Sequence, residues 1–282
     1  MSSIIHKIEE ETNDAPIGVF DSGVGGLTVA KEIMRQMPNE RIVYFGDTAR
    51  VPYGSKSKDT IIRYSRQIIR FLKTKQVKAI VVACNTASAY ALDTVEAELD
   101  IPIIGVIKAG AKVAVETTNN GKIGVIGTEA TINSGIYSTY IHKKNSELTV
   151  IGKACPLFVP LVEENWIKDS VTDEVARRYL GELKESGIDT LILGCTHYPL
   201  LRSTVGKIAG DGITLVNPAY ETALELKQLL EQKNLICTNH KNNDGTRYEF
   251  YVSDGSDKFK QIANSILPYD ISTTKLINIE EF

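Results

Sequence analysis

The 282-residue sequence lacks most of the signatures that assign a chain at sight. It contains no C-x-x-C and no clustered Cys/His ligand set, which excludes a zinc ribbon and a thioredoxin-type redox motif. H-E-x-x-H, G-x-G-x-x-G and G-x-x-x-x-G-K-[ST] are also absent, so no zincin helix or standard phosphate cradle is written in it. No metal site is expected. The longest strongly apolar stretch, Ala79 to Cys84, is far too short to cross a bilayer. The first residues are polar, carry three consecutive acids at Glu9 to Glu11 and do not read as a signal peptide.

Charge of one sign is lacking too. Lys+Arg 32 against Asp+Glu 35 leaves a net charge of −3, so no long-range basic field would draw the chain to nucleic acid or to an anionic membrane. Four cysteines are too few for a disulfide scaffold. The expectation is a cytoplasmic protein with reduced thiols, and the question is what Cys84, Cys155, Cys195 and Cys237 are for.

What is present is ordinary globular material. Hydrophobic residues at 43% and charged residues at 24% exclude a disordered, collagen-like or coiled-coil chain. The length suits two compact α/β units or one large one. Residues 1–14 read as a polar tail. Thereafter short apolar runs alternate with amphipathic stretches. Strands are predicted at Ile17–Phe20, Arg41–Phe45, Lys78–Ala83, Ile103–Val106, Lys122–Ile126, Leu148–Gly152, Thr190–Leu193 and near Tyr248–Val252. Helices are predicted at Leu27–Met37, Asp59–Thr74, Ala87–Leu99, Lys108–Glu116 and Thr172–Glu185, the last with Thr172 as N-cap and Gly187 beyond its end. Two more are predicted near Ala223–Gln232 and Lys258–Ile266. Strands alternating with helices over short links imply a parallel sheet covered by helices.

Two segments are duplicated. Ile17-Gly18-Val19-Phe20-Asp21-Ser22 resembles Ile123-Gly124-Val125-Ile126-Gly127-Thr128, an offset of 106. Lys78 to Thr86 resembles Asp189 to His197, an offset of 111. Two matches in the same order at nearly equal offset suggest two related lobes. Each lobe then carries a cysteine at the C-terminal end of a strand, where open α/β sheets bind ligands.

Cys84 and Cys195 are each flanked by hydroxyl or amide side chains where a core strand would stay apolar. The amides opening a following helix would favour a thiolate there. Asp21 ends the first strand before a glycine-rich turn. It either caps the helix from Leu27 or faces the site, where a carboxylate suits an ammonium group or a thiol proton. His197, two residues after Cys195, would orient or polarise it. Of Glu163 and Glu164, one could face the cleft. Cys155 and Cys237 lack the strand-end context and read as structural; His6, His142 and His240 sit in polar loop-like contexts.

At these residues the chain resembles the glutamate racemases, of the cofactor-independent aspartate/glutamate racemase superfamily. The matching stretches are Pro16 to Val29, Tyr44 to Gly54, Val82 to Ser88, Pro156 to Glu164 and Leu193 to Leu200. The resemblance runs from about Pro16 to about Ile266. It implies two pseudo-symmetric α/β domains, each a mainly parallel sheet flanked by helices, with the active site in the cleft between them. It places the first domain at 15–107 plus 219–282 and the second at 108–218. It implies interconversion of L- and D-glutamate without pyridoxal phosphate or metal, with D-glutamate entering peptidoglycan synthesis, and a homodimer. Carried over by motif, Cys84 and Cys195 are the catalytic thiols, facing the D- and L-enantiomer respectively. Asp21 supports Cys84, His197 supports Cys195, and Glu163 is an auxiliary polar group. Asp21, Ser22, Tyr53, Gly54, Asn85, Thr86, Thr196 and His197 would contact substrate.

Three rival expectations stand beside this one: a racemase of aspartate or a related diacid, a two-lobed amino-acid binding module, and a thiol hydrolase or transferase needing one nucleophilic cysteine.

Overall fold

A computed structural model of the chain describes residues 13–237, 247–271 and 273–282. His6, His240 and residues 1–12 of the polar tail lie outside the described residues. The apolar runs form strands: β1 (Ile17–Asp21), β2 (Ile42–Gly46), β3 (Ala79–Val82), β4 (Ile103–Gly105), β5 (Lys122–Gly127), β6 (Thr149–Ala154), β7 (Thr190–Gly194), β8 (Thr214–Val216), β9 (Tyr248–Val252) and β10 (Lys275–Leu276). They build two sheets, one in the order β10-β9-β2-β1-β3-β4 and one in the order β6-β5-β7-β8. Every described ladder is parallel. The central strands are buried along their whole length, as continuous apolar runs in helix-covered parallel sheets are.

The duplication is visible in the register. In the first sheet Ile17 pairs with Ala79. Shifted by the two sequence offsets, those positions become Ile123 and Thr190, which pair in the second sheet. The orders β2-β1-β3-β4 and β6-β5-β7-β8 therefore correspond strand for strand. Each repeat places its cysteine just past the third of its strands, Cys84 after β3 and Cys195 after β7.

The sheets share a core layer. Val19 and Ile33 on the first side join Val125 and Ile192 on the second through Val106, Ile107, Ala111 and Leu226. Those four middle residues lie on the helices Val106–Thr117 and Pro218–Gln232, which pack on each other where the chain passes from one sheet to the other. The Pro218–Gln232 helix also packs on Leu27–Gln36. The outer face of each sheet has its own apolar cluster. Among the described residues no helix is long and apolar enough to cross a membrane.

Three local expectations are corrected. The Ala87–Leu99 stretch is two helices, Asn85–Tyr90 and Leu92–Glu96, joined at Ala91. The helix expected from Thr172 begins at Ser170, because Asp169 caps it by accepting from the Val171 amide; the Thr172 hydroxyl instead donates to the Trp166 carbonyl. The helix Leu27–Gln36 has no side-chain cap, so Asp21 does not serve it.

Candidate active site

The C-terminal ends of β1, β3, β5 and β7 converge where the two sheets meet. β1 delivers Asp21 and Ser22, and β3 delivers Cys84, Asn85 and Thr86. β5 delivers Thr128, and β7 delivers Cys195, Thr196 and His197. All are buried, an unusual density of polar groups for strand ends packed in a core. They are held in a hydrogen-bonded network that crosses between the sheets.

Cys84 is the N-cap of the Asn85–Tyr90 helix, its sulfur accepting from the Ala87 amide at 3.5 Å. The expected favour to a thiolate is present but outweighed. Burial, and next the charge of Asp21, push the Cys84 thiol up to about 12, against the pull of the Ala87 amide and the Ser22 hydroxyl. Asp21 is fully buried. Its Oδ2 accepts from the Gly23 amide at 3.0 Å and its Oδ1 from the Thr196 hydroxyl at 3.1 Å.

On the other side, His197 Nδ1 lies 3.9 Å from Cys195 Sγ and Nε2 lies 3.1 Å from Glu163 Oε1. Burial alone would lower the imidazole. The hydrogen bonds to Cys195 and Glu163 overcome it and raise His197 to about 10. That shift favours the protonated ring, set between the Cys195 sulfur and the Glu163 carboxylate. Of the two candidate glutamates, Glu163 faces the site, whereas Glu164 pairs with Lys258 in solvent.

Close approach between the two halves depends on two glycines. A Cβ on Gly25 would fall 2.4 Å from Thr196 Oγ1 and 2.6 Å from His197 Nδ1. One on Gly54 would fall 2.5 Å from Thr128 Cβ. The Tyr53–Ser55 turn thus lies directly against the second sheet's strand end. The Tyr53 hydroxyl donates to Asp47, which also accepts from Arg50 Nε at 2.7 Å and Ser253 Oγ at 2.8 Å.

Three residues escaped the sequence reading: Thr128, Thr131 and Tyr137. Thr86, Thr128 and Thr131 form a buried hydroxyl cluster, with Thr86 2.9 Å from Thr128 and Thr128 3.0 Å from Thr131. Thr128 was signalled by the repeat, because the offset of 106 makes it the counterpart of Ser22. Thr131 follows one helical turn later. The third is Tyr137, whose hydroxyl donates to Asn85 Oδ1 at 2.7 Å. Cys155 is buried, its thiol directed at the Lys153 carbonyl, and His142 lies against the Leu148 carbonyl at 3.0 Å.

The arrangement offers two buried thiols, one from each repeat, an imidazole beside one and a carboxylate beside the other, and hydroxyl and amide groups between. The Asp/Glu/hydantoin racemase family model matches residues 17–225. Glutamate racemase of Persephonella marina is 50% identical over 260 residues, covering 92% of this chain and 96% of that one. Glutamate racemase of Geobacter metallireducens is 46% identical over 264 residues, covering 94% and 97%. The solved structure of glutamate racemase from Francisella tularensis in complex with D-glutamate is similar with a TM-score of 0.88 at 40% identity, covering 96% of this chain and 100% of that one. By matched length and by identity alike, the chain belongs to the Asp/Glu/hydantoin racemase family, among its glutamate racemases.

Proposed function

We propose that this chain interconverts L- and D-glutamate by moving the Cα proton between Cys84 and Cys195, with no cofactor. The observation that carries the reading is the equivalence of the two thiols. Each follows the third strand of its repeat, and both are buried at the seam between the sheets. The division of the chain at 108–218 fits the strand membership of the two sheets.

In the forward step one thiolate takes the Cα proton and becomes a thiol. The electron pair left on Cα delocalises into the α-carboxylate. The opposite thiol then gives its proton to the other face of Cα and becomes the thiolate. The Cα–H bond is a very weak acid, so fixed donors must meet the developing charge. The Asn85 amide and the Thr86 hydroxyl, which is hydrogen-bonded to Thr128 and Thr131, would supply them, while the Thr196 hydroxyl is committed to Asp21. The substrate ammonium, entering beside Asp21, offsets the negative charge that disfavours a Cys84 thiolate. The His197 imidazolium faces the Cys195 sulfur when that sulfur is the anion. Exclusion of water by closure strengthens each of these interactions.

The product D-glutamate would enter peptidoglycan synthesis. Oxidation of either thiol would stop the reaction, so the reading carries a reducing, cytoplasmic setting with it. A homodimer is inferred from the resemblance, and light scattering tests it.

The test is a circular-dichroism assay on L-glutamate with no added cofactor. The signal should decay to zero as the racemate forms, and L-aspartate should turn over far more slowly. Ligand binding without loss of signal would make the chain a binding module. Preference for aspartate would move it to the neighbouring activity.

A further inference from the structure

We propose that Tyr137 is a positioning residue for this reaction, its hydroxyl fixing the Asn85 amide so that the NH₂ end is presented to the substrate. The inference rests on the proposed racemisation and on Asn85 touching the substrate.

Tyr137 lies on the Ile136–Lys144 helix, in the layer of the second sheet, and is buried. Asn85 is the first residue of the helix capped by Cys84 in the layer of the first sheet. The Tyr137 hydroxyl donates to Asn85 Oδ1 at 2.7 Å. Among the described residues Asn85 Nδ2 makes no hydrogen bond, so the donor end of the amide is the free end.

The ring that carries the hydroxyl is closely confined. A Cβ on Gly110 would come within 3.3 Å of Cε1, and one on Gly194 within 3.2 Å of Cε2. Gly194 directly precedes Cys195, and Gly110 lies on the helix that passes between the sheets. The phenol therefore takes its position from the backbone next to one thiol and sets a side chain next to the other. Burial and the charge of Cys195 raise its pKa, so it stays protonated and able to donate.

An amide has two ends of nearly equal shape and opposite polarity. With Oδ1 outward, Asn85 would set an acceptor against a substrate carboxylate. That orientation would also leave the buried Tyr137 proton without an acceptor. Both effects select the orientation seen. Removing the hydroxyl removes one of them and frees the amide to turn.

The test compares wild type, Tyr137→Phe, Asn85→Ala and the double variant, reading kcat/KM for both enantiomers, D-glutamate affinity by calorimetry, and Tm. Tyr137→Phe should lower kcat/KM about tenfold, the scale of one lost hydrogen bond, and weaken D-glutamate binding. In the Asn85→Ala background the same substitution should cost nothing further, because its only route of action is gone. A general packing role would cost the same in both backgrounds. Asn85→Asp supplies a second reading, since it keeps an acceptor for Tyr137 but offers no NH₂. It should melt like wild type and lose glutamate binding. Wild-type kcat/KM in Tyr137→Phe, an additive double variant, or full activity in Asn85→Asp each overturns the proposal. A wild-type protein that racemises no glutamate overturns the underlying function, and this proposal with it.

Discussion

The Thr196 hydroxyl donates to Asp21 at 3.1 Å, tying the residue after one thiol to the carboxylate beside the other. Asp21 closes β1 of the first sheet and Thr196 follows β7 of the second, so this bond holds the two repeats in register at the seam. Asp21 is also, after burial, the main influence raising Cys84. Asp21→Asn should therefore bring the Cys84 midpoint down from about 12. The rate of Cys84 alkylation against pH, followed by peptide mass, reads this directly. An unchanged or higher midpoint would show that Asp21 does not set the charge of that thiol.

His197 makes stability depend on pH. Its imidazole is raised from an ordinary 6.5 to about 10 in the folded chain, so folding favours the protonated form. The sign follows from linkage: this contribution is full below pH 6.5, falls as pH rises from there and is gone above about 10. Urea unfolding across that window should show the decline. Glu163→Gln weakens one of the three groups that raise the ring, Cys195, Glu163 and Asp21, and should shrink the decline and shift it to lower pH.

The two seam glycines set how closely the halves can approach. A Cβ at Gly25 would meet Thr196 and His197, and one at Gly54 would meet Thr128, each well inside contact distance. Gly25→Ala and Gly54→Ala should hold the cleft slightly open and lower kcat/KM by more than about tenfold, since displacements near 1 Å can cost ~100-fold. The contacts lie at the seam between the halves, so the loss in kcat/KM should exceed what any accompanying fall in Tm accounts for. Wild-type kinetics in both variants would show that closure does not need these approaches.

A buried ion pair fixes the far side of the first sheet. Lys78 and Glu40 meet at 2.6 Å, each 1% exposed, and Glu40 also accepts from the Cys237 amide at 2.8 Å. Lys78→Met alone should destabilise the fold by about 3–5 kcal/mol, because it leaves a buried carboxylate without its cation. Lys78→Met combined with Glu40→Leu should recover most of the loss in thermal unfolding. Activity of the folded fraction should be unchanged, as the pair plays no part in the proposed chemistry.

The fold was legible because parallel sheets advertise themselves: β1, β3, β5 and β7 are largely apolar runs with Asp21, Cys84, Thr128 and Cys195 at or just past their C-terminal ends. The repeat offsets read from sequence reappear as strand register, and they single out Cys84 and Cys195 as counterparts. The thiol electrostatics were not legible. A helix N-terminus is a local feature, but the burial and the Asp21 charge that outweigh it at Cys84 come from tertiary packing. Tyr137 was hidden for a similar reason. Its partner Asn85 lies 52 positions away, and nothing in the Ile136–Lys144 stretch marks a tyrosine whose hydroxyl must be satisfied in a neighbouring layer. β8 and β10, at three and two residues, are too short to show a period.

The most direct measurement follows the α-proton itself. In heavy water, starting from either enantiomer, early product should carry α-deuterium while recovered substrate stays protiated, because the proton taken by one thiol is not the one returned by the other. Cys84→Ser and Cys195→Ser should each lower racemisation by about 10²–10⁴-fold, while Cys155→Ser and Cys237→Ser should leave it near wild type. Rapid wash-in of deuterium to the starting enantiomer, or near wild-type racemisation after Cys195→Ser, would contradict a two-thiol mechanism.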